Sequence, residues 1–163
     1  MKTRFVLVLL AGLLASAALT AQTRISGTLS CTRPDPAHSI EVGDTAASVM
    51  NLVKVPCTWS KGFDMAGLAV KDGYSVAASE VRGGKTKEHG IHVGTMANGD
   101  KYSVHFQGAG TVKPDHSGNA AGSWTFDGGT GKLKGLTGKG TYKTTANADG
   151  TSTSEIEGEY KLP

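Results

Sequence analysis

The sequence predicts an all-β domain that closes into an antiparallel barrel, and three observations lead to this prediction. Between Trp124 and Lys143, glycines recur beside β-forming residues with no helical spacing. Apolar and polar residues alternate with period two in many segments of the chain. Breakers such as Asn98-Gly99 and Asp149-Gly150 separate these segments at short intervals. About eight or nine short strands joined by short turns close most economically into a barrel, which removes exposed edges; a sandwich is the alternative.

The N-terminal segment has the three parts of a secretory signal peptide. Lys2 and Arg4 precede an apolar stretch that begins at Phe5, and small residues follow up to Ala21. The apolar stretch is shorter than the roughly 20 residues that a membrane-spanning helix needs. We therefore predict a signal peptide over residues 1–21, with the mature chain starting near Leu19 or Gln22, and a single β-barrel domain over residues 22–163. The predicted location is secreted or periplasmic, with no membrane segment after cleavage.

The charge balance of the mature chain is close to neutral. The whole chain has 17 Lys plus Arg and 14 Asp plus Glu, a net charge of +3. Removal of residues 1–21 takes away Lys2 and Arg4 and no acid, so 17 minus 2 leaves 15 basic against 14 acidic residues, a net charge of +1. A nucleic-acid partner would need a clustered basic face. We therefore expect no nucleic-acid partner, and no motif indicates a cofactor.

The first two strands each place a cysteine on their apolar face. Cys31 follows Leu29 at a spacing of two, and Cys57 precedes Trp59 at the same spacing. In an exported chain, two cysteines outside the signal favour a disulfide. We predict a Cys31–Cys57 bridge between neighbouring strands, which would stabilise the fold by roughly 3 to 4 kcal/mol in the chain-entropy model. Two buried free thiols are the alternative.

The same alternation predicts the remaining strands, while Arg33 to Pro36 and the nearby His38 read as a loop because two close prolines cannot donate to a sheet. The predicted strands cover Gly67 to Val70, Tyr74 to Val81, His89 to Met96, Lys101 to Gly108, Ala120 to Phe126, Gly138 to Thr145 and Ser154 to Leu162. Lys71-Asp72-Gly73 and Gly128-Gly129 are among the predicted breaks.

Asn98-Gly99 predicts a two-residue type I′ hairpin turn, which fixes the register of the two strands beside it. In that register the pairs on the apolar face are Val93 with Val104, Thr95 with Tyr102, and Ile91 with Phe106. A slip of one residue would mix the apolar and polar faces, so the pattern itself favours this register.

On the other face of the same hairpin, His92 would lie opposite His105. Opposed residues have Cβ atoms about 5 Å apart, so both imidazoles could reach one metal ion. A third ligand would still be needed, and Glu88 or Glu80 could supply it. The simpler interpretation, which we prefer, is two imidazoles on a solvated outer face or at a subunit contact.

The glycine-rich motif resembles that of a known superfamily. The run G-G-T-G-K-L-K-G at residues 128–135, followed by G-K-G-T-Y at residues 138–142, is similar to a signature of the allene oxide cyclase and dirigent barrels and of related exported bacterial proteins. The resemblance implies an eight-stranded, antiparallel, calycin-like barrel with a central cavity. Plant members are often trimers or dimers, which makes a homo-oligomer an expectation here. The resemblance assigns no catalytic residue, because a glycine motif is shared by members of different function.

An eight-stranded barrel is just wide enough to be filled by side chains or to hold one small ligand. Glycines contribute little volume, so a residual cavity is expected, and Tyr or Trp polar atoms could orient an apolar ligand inside it. The candidate lining residues are Val93, Tyr102, Val104, Phe106, Trp124, Phe126, Tyr142 and Tyr160.

The leading hypothesis is a non-enzymatic barrel that binds a small, mostly apolar molecule. One alternative is a cyclase or isomerase that acts on a reactive substrate in the cavity, and another is a structural or protein-interaction module without ligand. A buried carboxylate that converges with a tyrosine or asparagine inside an open cavity would favour the enzyme. An apolar pocket without such a pair would favour binding, and a filled interior would favour the interaction module.

Overall fold

The computed structural model describes residues 22–163, so the predicted signal peptide over residues 1–21 lies outside the described residues. This part of the chain contains ten strands and one short 3-10 turn, Gly131–Leu133. The strands are β1 (Thr23–Cys31), β2 (Ala37–Glu41), β3 (Val49–Lys61), β4 (Asp64–Met65), β5 (Leu68–Arg82), β6 (Lys85–Met96), β7 (Lys101–Val112), β8 (Gly118–Gly129), β9 (Thr137–Ala146) and β10 (Ser152–Lys161). Within residues 22–163, no helix is long and apolar enough to cross a membrane.

Eight of these strands form one closed antiparallel ring. Their order is β3-β1-β10-β9-β8-β7-β6-β5, and β5 pairs with β3 to complete the circle. Outside the ring, β2 pairs with the first part of β3, and the two-residue β4 pairs with the start of β5. Ring closure gives hydrogen-bond partners to strands that would otherwise be edges. The predicted all-β, eight-stranded barrel is confirmed, and the sandwich alternative is wrong.

Three segments predicted as breaks or loops are part of strands. Lys71 lies inside β5, where the register with β6 shifts between Val70 and Asp72. Such a bulge accommodates an extra residue and increases the local twist without ending the strand. The pair Gly128-Gly129 ends β8 instead of forming the turn, although Gly128 does have a positive φ of 136°. His38, predicted in a loop, belongs to β2 and pairs with Leu52.

The predicted register of the β6–β7 hairpin is wrong by one residue. The Met96 amide donates to the Asp100 carbonyl, and the Gly99 amide donates to the Met96 carbonyl, so the loop has three residues, 97 to 99. Gly99 has a φ of 90°, as in the common three-residue hairpin that combines a type I turn with a glycine bulge. As a result, Tyr102 pairs with Gly94 instead of Thr95.

The two ends of the barrel are filled differently. At one end, Met65, Met96, Leu133 and Leu136 are each at most 2% exposed. These four residues come from β4, the end of β6 and the connection from β8 to β9, so three parts of the chain cover this end. We call this group of four residues the apolar plug. Farther from the apolar plug, inward-facing residues such as Ala77, Thr144 and Ser152 are small and only partly buried, and they line unfilled space.

The predicted disulfide is present. Cys31 of β1 lies directly opposite Cys57 of β3, with Cα atoms 4.0 Å apart, and the two sulfur atoms are bonded at 2.08 Å. Both cysteines point toward the barrel interior, as the alternation along β1 and β3 predicted. The bridge joins β1 to β3 across one of the shorter strand pairings of the ring. A disulfide is compatible with an extracellular or periplasmic location.

Candidate ligand cavity inside the barrel

The barrel encloses a cavity of 210 Å³ to which every strand of the ring contributes at least two lining residues. Apolar and aromatic side chains make up most of the wall. The other side chains that line it are Ser75, Glu88, His92, Thr144, Ser152 and Ser154. An apolar cavity of about 150 Å³ in a protein can take up benzene. The volume therefore suits a small organic molecule.

The structure places most of the predicted lining residues on this cavity. Six of them line it: Tyr102, Val104, Phe106, Trp124, Phe126 and Tyr142. Tyr160 is inside the barrel and only 8% exposed, but it lies toward the apolar plug, where its hydroxyl oxygen accepts a hydrogen bond from the Ala66 amide at 3.4 Å. Whether these residues bind a ligand stays a prediction.

The placement of Val93 inside the barrel is wrong. Val93 lies opposite Ser103 and Tyr74 on the outer face of the sheet, and Ile91, also predicted to face inward, is 41% exposed. The cause is the one-residue difference in hairpin register, because such a shift moves every side chain of one strand to the opposite face.

The same shift separates the two histidines proposed as metal ligands. His92 lies opposite Val104 and faces the interior, whereas His105 lies opposite Ile91 on the outer face, 3.4 Å from the Asp127 carboxylate. The pairing of His92 with His105 is therefore wrong, and the two rings cannot share an ion. Nowhere in residues 22–163 do three or more His, Cys, Asp or Glu side chains gather closely enough to hold a metal.

His92 is a deeply buried titratable side chain of the cavity wall, only 7% exposed. Its Nδ1 lies 3.0 Å from the hydroxyl oxygen of Ser75, which is directly opposite on β5. Burial without a charged partner lowers the pKa of His92 from 6.5 to about 4. The imidazole is therefore neutral near pH 7 and adds no charge to the interior.

Three polar atoms are buried at this deep end without a well-directed hydrogen bond within residues 22–163. They are His92 Nε2, the Tyr102 hydroxyl oxygen and Trp59 Nε1. Burial raises the pKa of Tyr102, and the neighbouring Trp59 indole opposes part of this shift. Most buried polar atoms in native structures have a hydrogen-bond partner, so three unpaired polar atoms in one region are unusual.

Two glycines make room for these rings. A Cβ on Gly94 would overlap the Tyr102 ring, and a Cβ on Gly73 would lie 2.9 Å from His92 Nε2. Gly73 and Gly94 pair directly across β5 and β6, so their bare backbones form a continuous surface beneath both rings. Here the absence of a side chain is what positions the aromatic residues.

A second polar pair lies farther from the apolar plug. The Tyr142 hydroxyl donates a hydrogen bond to Glu88 Oε1 at 2.7 Å. Burial, together with the hydrogen bond and the negative charge of Glu88, raises the pKa of Tyr142, so its hydroxyl keeps its proton. Glu88 is half-buried and lies four residues from His92 on the same face of β6, about 13 Å away along the strand.

Aromatic rings form the wall between these two polar positions. Phe106 lies beside Tyr142 with ring centroids 6.0 Å apart and planes at 87°, and Trp124 lies beside Phe126 with centroids 5.1 Å apart. Edge-to-face pairs of this kind are favoured by the ring quadrupoles. Trp124 Nε1 donates to the Thr141 carbonyl at 3.1 Å, so its polar atom is satisfied by the barrel itself.

Sequence reasoning did not assign Ser75, Glu88 and His92 to the interior. His92 was expected on the outer face, as a solvated or subunit-contact imidazole or as a metal ligand, and Glu88 was considered only as a possible third metal ligand. The signal that could have found them is the alternation along residues 85–96, taken with a three-residue turn: Glu88, Gly90, His92, Gly94 and Met96 then face inward together. This pattern was missed because Ile91 and Val93, which are large and apolar, face outward and were expected to face inward.

Comparison with known proteins concerns the fold. No protein-family model and no curated protein matches the chain. The chain is similar to the solved structure of the pterocarpan synthase dirigent protein PsPTS1, with a TM-score of 0.50 and 15% identity over 86% of this chain and 95% of that one. The pterocarpan synthase dirigent protein GePTS1 gives a TM-score of 0.49 and 13% identity over 86% of each chain. The similarity to PsPTS1 concerns the barrel fold alone, and it is consistent with the predicted dirigent-like barrel.

Proposed function

We propose that this protein is an exported carrier or receptor barrel that binds one small, mostly apolar molecule in its interior. The observation that supports the proposal is the 210 Å³ cavity, lined largely by aromatic and aliphatic side chains, inside a barrel whose other end is packed. Concave, mostly apolar sites with a few placed polar groups are typical of small-molecule binding. Export rests on the signal-peptide pattern of residues 1–21 and agrees with the disulfide.

A cavity-filling substitution tests this proposal. Ala77 lines the cavity, so Ala77→Phe would place a ring where the ligand is expected. Ala109 lies on the exposed outer face of β7, and Ala109→Phe serves as the matched control. The probe is 2-phenylethanol, a neutral molecule with one ring, and its binding to disulfide-bonded protein is followed through the fluorescence of Trp59 and Trp124, which both line the cavity.

We expect saturable binding to the wild type and to Ala109→Phe and loss of binding in Ala77→Phe. Native mass spectrometry of protein purified from its own host adds a direct measurement, since a retained ligand appears as a defined mass increase that Ala77→Phe lacks. Absence of saturable binding to the wild type, together with no retained mass, would remove the proposal.

One observation favours a second function, that of a cyclase or isomerase. The Glu88 carboxylate converges with Tyr142 in the cavity, which is the arrangement that would distinguish an enzyme from a plain binding pocket. A carboxylate in an apolar site can act as a general base, while a tyrosine hydroxyl that keeps its proton can donate to a developing negative charge. In this function Glu88 would take a proton from carbon and Tyr142 would orient it.

A reporter reaction tests this chemistry without knowledge of the natural substrate. In 5-nitrobenzisoxazole, removal of the C3 proton by a base breaks the N–O bond and releases a coloured phenolate. If Glu88 acts as a base, the wild type accelerates this reaction above an equal concentration of acetate, and Glu88→Gln abolishes the excess. Equal rates for the wild type and Glu88→Gln would exclude the enzymatic function for Glu88.

A further inference from the structure

The only charged side chain that lines the cavity in the described chain is a carboxylate. Glu88 is the one carboxylate among the cavity-lining residues of the described chain, and no lysine or arginine is among them. His92, the remaining titratable nitrogen of the wall, is deeply buried and neutral near pH 7. The neighbouring Lys87 is exposed and points to the opposite face of β6. The interior therefore has a net negative charge without an internal counter-charge.

The Glu88 carboxylate is also incompletely paired. Tyr142 donates to Oε1, and within residues 22–163 no salt bridge joins Glu88 to a basic side chain. An ionised carboxylate can accept about four hydrogen bonds. Removing a charge from water is costly unless an opposite charge or further hydrogen bonds compensate for it.

Tyr142, which donates to this carboxylate, belongs to a group of aromatic side chains on the cavity wall. Phe106 and Tyr142 pack edge to face, and Trp124 lines the same wall. The faces of such rings attract cations within about 6 Å, most strongly where water is excluded. A carboxylate beside aromatic rings is therefore complementary to an organic ammonium group, and it repels an organic acid.

We propose that the cavity selects an amine, namely a small molecule with one apolar ring and a protonated nitrogen on a short arm. Glu88 holds the nitrogen, and the ring packs among Phe106, Trp124 and Phe126. This inference deepens the proposed function and rests on it. The ring lies toward the deep end of the cavity, where the wall is aromatic. The ammonium lies at Glu88, farther from the apolar plug, where Tyr142 holds the carboxylate in place.

Three probes that share a phenylethyl group test the selection. They are 2-phenylethylamine, 2-phenylethanol and 3-phenylpropanoate, which share a ring and differ in a positive, neutral or negative group. Affinities for the disulfide-bonded wild type are measured by calorimetry at pH 7. We expect the amine to bind about tenfold or more tightly than the alcohol, as a charge-assisted contact would give, and the acid to bind most weakly.

Two variants assign the preference to Glu88. Glu88→Gln keeps the shape of the side chain and should reduce the amine preference to less than about threefold while the alcohol still binds. Glu155→Gln removes the same charge from the exposed face of β10 and should leave the preference unchanged. Tyr142→Phe keeps the ring and the carboxylate, so the preference should persist there even if Glu88→Gln folds poorly.

The outcomes separate this inference from the proposed function. If the alcohol binds as tightly as the amine, or if folded Glu88→Gln retains the full preference, amine selection is wrong and the binding function stands. Loss of the preference in Glu155→Gln would also overturn it, because the effect would then be long-range. If none of the three probes binds the wild type and native mass spectrometry shows no retained ligand, the proposed function fails as well.

Discussion

Ser75 and His92 lie directly opposite each other on β5 and β6, and the Ser75 hydroxyl oxygen is 3.0 Å from His92 Nδ1. The contact satisfies one nitrogen of a deeply buried, neutral imidazole. If the serine hydroxyl donates, the proton of the ring resides on Nε2; if Nδ1–H donates, Nε2 carries a lone pair. The direction of this hydrogen bond and the tautomer of His92 are therefore coupled.

Removal of this hydroxyl should destabilise the barrel. In Ser75→Ala, Nδ1 of the buried His92 loses its hydrogen-bond partner, and the expected loss is about 1–3 kcal/mol in the free energy of unfolding. Urea denaturation at pH 7.5 measures it. Ser123→Ala, on the exposed face of β8, is the control and should change stability little. Equal stability of Ser75→Ala and wild type would show that the contact contributes nothing.

The buried His92 should make the fold sensitive to mild acid. Its pKa is lowered from 6.5 to about 4 by burial, so between these pH values the unfolded chain binds a proton that the folded chain does not. Stability therefore falls as the pH drops through this range, by about 3 kcal/mol between pH 7 and pH 4. Denaturation curves at both pH values give the difference.

His92→Gln removes the titrating group and should lose most of that pH dependence, whereas His105→Gln on the outer face should keep it. An NMR titration reports the pKa of His92 directly. A value near 6.5 in the folded protein would contradict this account of the acid sensitivity.

Reduction of the disulfide should lower stability without changing the fold. The bridge connects residues 26 positions apart, and the chain-entropy model gives about 3 to 4 kcal/mol for a loop of this length. The double variant Cys31→Ala with Cys57→Ala, compared with the oxidised wild type by urea denaturation, measures the loss. Adding a reductant should lower the wild-type midpoint and leave that of the variant unchanged; identical midpoints for oxidised and reduced wild type would contradict the prediction.

Gly94 should tolerate no side chain while Tyr102 occupies its present place. A methyl group on Gly94 would overlap the Tyr102 ring, so Gly94→Ala should cost about 1–3 kcal/mol through overpacking. A double-mutant cycle with Tyr102→Ala isolates the cause, because the cost of Gly94→Ala should shrink in that background. An undiminished cost would place the strain in the backbone instead.

Substitutions in the apolar plug should lower stability without changing the affinity for a ligand. Leu133 is 0% exposed, and Leu133→Ala should cost about 2–5 kcal/mol by leaving a cavity. Leu133 does not line the candidate site, so the affinity for 2-phenylethanol should be unchanged in folded protein. Leu52→Ala, at an outer position that is 53% exposed, is the matched control for stability. A large loss of affinity in Leu133→Ala would show that the two ends are coupled.

The fold was predictable because period-two alternation and closely spaced turn residues determine strands and connections locally. Cys31 and Cys57 were correctly paired because each shared an apolar face with its neighbours, and Trp124 was correctly placed inside. The failure at Asn98-Gly99 was also local in origin. The same dipeptide occurs in two-residue and three-residue turns. The three-residue loop is favoured here because Asp100 hydrogen-bonds with Asn98 and its carboxylate accepts from the Lys132 amide.

The polar part of the cavity was harder to predict because it contradicts the usual distribution of residues. Glu88 and His92 face inward although they are polar, while Ile91 faces outward although it is apolar. Tertiary pairing decided this register: Tyr102 needs a bare backbone beneath its ring, and Gly94 provides it only in the observed alignment. Such a requirement involves two strands at once and is invisible in either strand alone.

The unequal ends of the barrel have a consequence for how the molecule could diversify. The methionines and leucines of the apolar plug do not line the cavity. Substitutions around Ala77 and Glu88 would therefore change which ligand is accepted at little cost in the free energy of unfolding. One fold of this kind can support many ligand specificities. For protein engineering, the cavity wall can be redesigned without changing the residues of the apolar plug.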